Sequence, residues 1–103
     1  MIILIDDDKL IHMSWKLAAQ KAEVELVTFF TVDEALEFLE KSEVMPEAIY
    51  IDSQLGHNIK GEIEARRLFD CGFTEIYLAS GLKFKPEEIP PYIKGSITKR
   101  APF

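Results

Sequence analysis

The sequence predicts an α/β fold built on a mostly parallel sheet, and three observations carry that prediction. Short apolar, β-rich runs alternate with helical segments; the first run, Met1 to Ile5, is apolar throughout; and four runs end abruptly on a polar residue. Strands alternating with helices make βαβ units with right-handed crossovers. A strand buried on both faces has no wet side, so it reads as an unbroken apolar run.

The first run stops at Asp6-Asp7-Asp8. Three adjacent carboxylates repel one another unless something positive holds them, which points to a bound divalent cation. One of them, Asp8, is placed to cap the helix that follows. That helix spans Lys9 to Glu23, with Ile11, Trp15, Ala18 and Ala22 as its buried stripe. Leu10, Met13 and Leu17 lie off this stripe, so the helix is apolar over more than one face.

Val24 to Phe30 reads as the second strand. Thr31-Val32-Asp33-Glu34 has capping-box spacing, with Phe30 and Ala35 as a hydrophobic staple. The second helix buries Ala35, Leu36 and Leu39 and fades near Ser42. Ala48 to Ile51 is the third strand, ending on Asp52, and its glycines and Asn58 make Ser53 to Gly61 a loop. Glu62 to Asp70 reads as a third helix turning Ile63, Ala65, Leu68 and Phe69 partly inward, stopped by Cys71-Gly72. Glu75 to Ala79 is the fourth strand, ending at Ser80-Gly81. Pro86 can start a helix, which Pro90-Pro91 stops within a turn or two. Ser96-Ile97-Thr98 is a short fifth strand, ending at Lys99.

The 103 residues suit one domain, 1–103, with a single core. A net charge of −6 excludes phosphate-backbone binding, which needs clustered Lys and Arg, so nucleic acid is not an expected partner. Cys71 is the only cysteine, a small hydrophobe or loop residue, consistent with a reducing cytoplasm. Met1 leads straight into the strand with no basic segment before it, so no signal peptide is expected. No apolar stretch is long enough to span a membrane.

Parallel strands present their carboxyl ends along one sheet edge, where open α/β sheets bind ligands. Asp6, Asp7, Asp52, Ser80 and Lys99 therefore converge on one cleft. Carboxylates with carbonyl oxygens suit Mg²⁺, which keeps several waters and takes phosphate oxygens as further ligands. With a lysine opposite, the set reads as a phosphoryl-transfer site in which one carboxylate is the nucleophile.

The chain resembles a response-regulator receiver domain of two-component signalling. The matching motifs are Ile-Leu-Ile-Asp-Asp-Asp in the first strand, Ala-Ile-Tyr-Ile-Asp in the third, Ile-Tyr-Leu-Ala-Ser-Gly in the fourth and Ile-Thr-Lys in the fifth. The resemblance implies the flavodoxin-like strand order 2-1-3-4-5. It implies that Asp52 is the phosphoacceptor, that Asp7, Asp52 and the Gln54 main-chain carbonyl bind Mg²⁺, and that Asp6 acts through a metal-bound water. Ser80 and Lys99 would each meet a phosphoryl oxygen, and Gln54 and Gly81 fall at the family's variable rate-tuning positions. The implied partner is a histidine kinase or histidine phosphotransfer protein, for a single-domain receiver, a relay intermediate or part of a longer hybrid kinase. His12 is expected on the helix surface and His57 in solvent.

The sequence departs from the family in several places. No segment for a fifth helix follows Lys99, so the sheet face beside the first helix is expected to be covered by a neighbouring domain, a second copy in a homodimer, or repacked side chains. Arg100 stands where the family has a proline in a cis bond. A cis non-proline bond costs about 2.5–4 kcal/mol, so the loop is strained or built differently. Ser96 replaces the family's aromatic relay residue, and Gly56 replaces the usual proline after the phosphoacceptor. Two other readings compete: a receiver-like interaction module that uses no phosphate, and a haloacid-dehalogenase-type phosphohydrolase. The second would use Asp6-Asp7-Asp8 as its Asp-x-Asp motif, but it lacks a later acidic metal motif and leaves Asp52 unexplained.

Overall fold

The computed structural model describes all residues, 1–103. In chain order the elements are β1 (Ile2–Ile5), α1 (Lys9–Ala22), β2 (Leu26–Phe29), α2 (Val32–Lys41), β3 (Ala48–Ile51), α3 (Gly61–Asp70), β4 (Ile76–Ala79), a single 3₁₀ turn (Pro86–Glu88) and β5 (Gly95–Ile97). All neighbouring strands pair in parallel, in the order β2-β1-β3-β4-β5. This is the flavodoxin-like order that the motifs imply.

Alternation along the strands splits the core into two layers. Ile3, Ile5, Ile49, Ile51, Ile76 and Leu78 point to the face covered by α2 and α3, where Val32, Ala35, Leu39, Ala65 and Leu68 meet them. Leu4 and Ala79 point the other way, against Trp15 of α1. The central strands are apolar throughout because both faces are covered.

The helix starts follow side-chain chemistry. The Asp8 carboxylate accepts from the Leu10 N–H at 2.9 Å and caps α1. The Thr31 hydroxyl accepts from the Glu34 N–H at 3.2 Å, while the Glu34 carboxylate accepts from the Phe30 N–H at 3.3 Å. Phe30 does not staple α2; it is exposed on one side and stacks on His12, with ring centroids 4.2 Å apart.

Two helix faces differ from expectation. The buried stripe of α1 is His12, Trp15 and Ala19, with Ala22 exposed and Ile11 and Ala18 half-buried. On α3 only Ala65 and Leu68 turn fully inward, and Ile63 and Phe69 are exposed. In both helices apolar residues occupy several faces, and the facing strands select the one that is buried. Cys71 is exposed at the C-terminal end of α3.

Beyond β5 the chain runs to Phe103 without a helix. Ala101 and Phe103 fold back over the Trp15 layer, and Trp15 meets Tyr50 and Phe103 edge-on at 5.4 and 5.9 Å. Tyr77 stacks on Tyr50 at 5.4 Å and extends the aromatic cover. Side chains thus cover part of the face beside α1. Leu10, Met13 and Leu17 stay on the outer side of α1, all more than half exposed.

Candidate functional site

Register assembles the acids. Ile5 of β1 lies opposite Ile51 of β3, so the next residues, Asp6 and Asp52, stand side by side where the strands end. Both are buried. Asp7 is exposed beside them, and carboxylate oxygens of Asp6, Asp7 and Asp52 lie within 4.8 Å of one another.

Lys99 closes the group. Its Nζ donates to Asp6 Oδ2 at 2.8 Å and lies 2.9 Å from Asp52 Oδ2. Burial favours the neutral amine, but the hydrogen bonds to Asp6 and Asp52 outweigh it and hold the Lys99 pKa above the usual lysine value. Lys99 is therefore an ammonium at neutral pH. Asp52 moves up from the usual aspartate value: burial raises its pKa and Asp6 adds to this, against the lowering hydrogen bonds of Lys99 and the Gln54 backbone. One cation shared by two buried acids leaves the cluster with excess negative charge.

Asp7, Asp8, Asp52 and Lys99 open on a cavity of about 390 Å³ that Gln54, Gly56, Ser80, Gly81 and Leu82 also line, with Asp6 buried behind it. A cavity of about 460 Å³ lies elsewhere, lined by Leu36, Leu39, Glu40, Cys71 and Phe73. It brings no set of polar groups together, so the chemistry belongs to the first. Ser80 reaches the cavity, but its hydroxyl lies 2.6 Å from that of Ser53 and accepts from the Leu82 N–H at 3.1 Å. The Gln54 side chain is exposed. Asp8 is engaged in capping α1.

The loop after Asp52 is a small hairpin. Gln54 bridges Lys60, the Leu55 N–H donates to Ile59 at 3.0 Å and the Ile59 N–H to Gly56 at 2.8 Å. His57 (φ 48°) and Asn58 (φ 62°) form its tip, the two positive angles of a type I′ turn. His57 is exposed there, as expected. Gly56 has φ +79°, and a Cβ on it would lie 3.1 Å from Asp7 Oδ2. Its bareness leaves room beside the acids. At Gly61 a Cβ would fall 1.7 Å from the Asp52 carbonyl oxygen, so only glycine lets α3 start against the end of β3.

Four contributors escaped the sequence reading. His12 is buried, not on the surface, and its Nε2 lies 2.6 Å from the Asp6 carbonyl oxygen. The signal was present: His12, Trp15 and Ala19 recur at three- and four-residue steps. Trp15 donates from Nε1 to the Lys99 carbonyl at 2.7 Å. The chain has no cis peptide bond, so the loop after Lys99 is built differently, around this indole. Ser53 and Gly61 gave no signal beyond adjacency to Asp52 and a glycine at a helix start.

The parallel order β2-β1-β3-β4-β5 with its acids at the carboxyl edge makes the chain a flavodoxin-like α/β protein. The chain matches no family model and no curated protein. Among solved structures it is similar to the N-terminal domain of a response regulator/sensory box/GGDEF three-domain protein from Carboxydothermus hydrogenoformans, with 17% identity, TM-score 0.76, and coverage of 97% of this chain and 82% of that one. It is similar to the N-terminal domain of a response regulator receiver protein from Methanoculleus marisnigri, with 20% identity, TM-score 0.78, and coverage of 94% and 81%. A CheY-like receiver domain protein from Methanospirillum hungatei aligns at 18% identity, TM-score 0.71, over 99% and 82%. The chain has the CheY-like receiver fold. No helix is long and apolar enough to cross a membrane.

Proposed function

We propose that the chain is a phosphoacceptor receiver, working in the cytoplasm, that takes a phosphoryl group from a phosphohistidine of a histidine kinase or histidine phosphotransfer protein onto Asp52. The observation that carries this reading is the Lys99 ammonium held 2.8 and 2.9 Å from Asp6 and Asp52, beside Asp7. A cation already lies at the carboxylate that would receive a phosphoryl dianion.

The donor set fits Mg²⁺. Its oxygens are carboxylate and carbonyl, the cluster has more negative charge than Lys99 neutralises, and Gly56 keeps the space beside Asp7 clear. Asp7, Asp52 and the Gln54 main-chain carbonyl would hold the ion, with Asp6 acting through water. Bound there, Mg²⁺ supplies charge neutralisation at the phosphoryl oxygens. The Asp52 carboxylate attacks phosphorus in line; the new P–O bond forms as the P–N bond to the partner's imidazole breaks, and the imidazole nitrogen leaves with its electron pair and takes a proton. Lys99 pairs with one phosphoryl oxygen. Ser80 swings from Ser53 to donate to another. The protein turns over nothing but its own acyl phosphate.

The reading is tested by intact-mass spectrometry after incubation with acetyl phosphate, with and without Mg²⁺, on the native protein and Asp52→Asn. A phosphoryl adduct that needs both Mg²⁺ and Asp52 is the expected result. A folded protein that takes no adduct would refute it and favour the phosphate-independent interaction module. Turnover of the acetyl phosphate without an adduct, abolished by Asp6→Asn, would favour the hydrolase.

A further inference from the structure

Lys99 lies two residues beyond β5, a three-residue strand at the sheet edge, in a segment with no regular structure. Strand pairing ends at Ile97. Yet its ammonium is set within 0.1 Å of equal distance from two carboxylates. Something must fix the backbone from which so flexible a side chain reaches.

Trp15 is the group in place to do so. Its ring is fully buried among Leu4, Ala79, Tyr50 and Phe103, and its Nε1–H donates to the Lys99 carbonyl at 2.7 Å, across 84 positions of sequence. An indole has one donor and no acceptor, and a buried indole N–H needs a partner, which here is the part-buried Lys99 carbonyl. The remaining local bond, from the Arg100 N–H to the Thr98 hydroxyl, is at 3.3 Å and exposed. We infer that Trp15 is a positioning residue for Lys99, its indole N–H anchoring the Lys99 carbonyl so that the ammonium is aimed between Asp6 and Asp52. This deepens the receiver reading, on which the role of the aimed ammonium rests. It assigns to an indole on α1 the work of setting the lysine loop, and ties the aromatic layer directly to the site.

Trp15 is the only tryptophan, so a tryptophan analogue fed to an auxotroph replaces this residue alone. Benzothienylalanine keeps the shape and replaces N–H by sulfur; 5-fluorotryptophan keeps the N–H and serves as control. The readout is the Lys99 Cε–Hε resonance, assigned by its loss in Lys99→Arg. A fixed side chain gives two distinct Hε signals, and a free one gives a single averaged signal. Two signals in the native and fluorinated proteins and one in the benzothienyl protein are expected. Beryllofluoride affinity in Mg²⁺ should then fall about tenfold in the benzothienyl protein alone, as for loss of one well-placed hydrogen bond.

Trp15→Phe, which also removes the N–H, repeats the comparison should the analogue not fold. Two signals retained without the N–H, one averaged signal in the native protein, or unchanged beryllofluoride affinity would each overturn the inference. If the native protein binds no beryllofluoride while the Hε signals behave as expected, the receiver reading fails and the anchoring by Trp15 stands.

Discussion

His12 donates its Nε2–H to the main-chain carbonyl of Asp6 at 2.6 Å, from a buried ring stacked on Phe30. A carbonyl only accepts, so the Nε2-protonated form is required. The bond ties the second turn of α1 to the strand end that carries the acids. His12→Phe keeps a ring for the stack and leaves the carbonyl unpaired, which should cost about 1–3 kcal/mol of stability. His12→Ala also opens a cavity and should cost about 3 kcal/mol or more. Urea denaturation of both variants measures this, and equal stability to native in His12→Phe would show the bond to be dispensable.

Gly61→Ala puts a Cβ 1.7 Å from the Asp52 carbonyl oxygen, which is backbone and cannot step aside. A loss above about 3 kcal/mol is expected, with displacement of α3 from the end of β3. Gly81→Ala meets nothing within 4 Å and should lie within about 0.5 kcal/mol of native. Denaturant midpoints of the two variants, compared side by side, check the contrast.

Ser53 and Ser80 share a buried hydroxyl pair at 2.6 Å. Ser80→Ala strands both the Ser53 hydroxyl and the Leu82 N–H and should cost about 2 kcal/mol or more. Ser53→Ala leaves Ser80 its bond from Leu82 and should cost about 1 kcal/mol, and the double variant should cost less than their sum. A double-mutant cycle in urea with strict additivity would show that the pair does not couple.

All three tyrosines have pKa values above the usual phenol value of 10.0. Burial raises Tyr50 and Tyr92; the hydrogen bond that Tyr77 donates to Glu75 raises it first, with burial second. The unfolded chain then loses its phenolic protons before the folded one does. Stability from these groups is complete below pH 10.0 and is lost as pH rises through the folded values. Absorbance titration at alkaline pH should place the folded midpoints above those of the urea-unfolded chain, and stability should fall over that window. Coincident midpoints would remove the effect.

Much of this molecule was legible in the chain. The unbroken apolar runs of β1 and β3 read as strands buried on both faces, and each stops on an acid where the strand ends at the polar cleft. Parallel order then carries Asp6, Asp7, Asp52, Ser80 and Lys99 to one edge, since that edge is common to every strand. Thr31 and Glu34 announced α2 by local chemistry that needs no tertiary partner. These features are decided within a few residues, where backbone geometry leaves little choice.

Only the tertiary structure decided which face of each helix is inside and what holds the site still. On α1, apolar residues stand on several sides, and the sheet selects His12, Trp15 and Ala19 while leaving Leu10, Met13 and Leu17 outside. Ile63 and Phe69 of α3 are exposed for the same reason. The contacts from Trp15 to Lys99, Ser53 to Ser80 and Gly61 to Asp52 join segments whose separation in sequence says nothing of their distance in space. Local pattern sets where strands end and what they offer there; packing of whole layers sets which side chains can reach it.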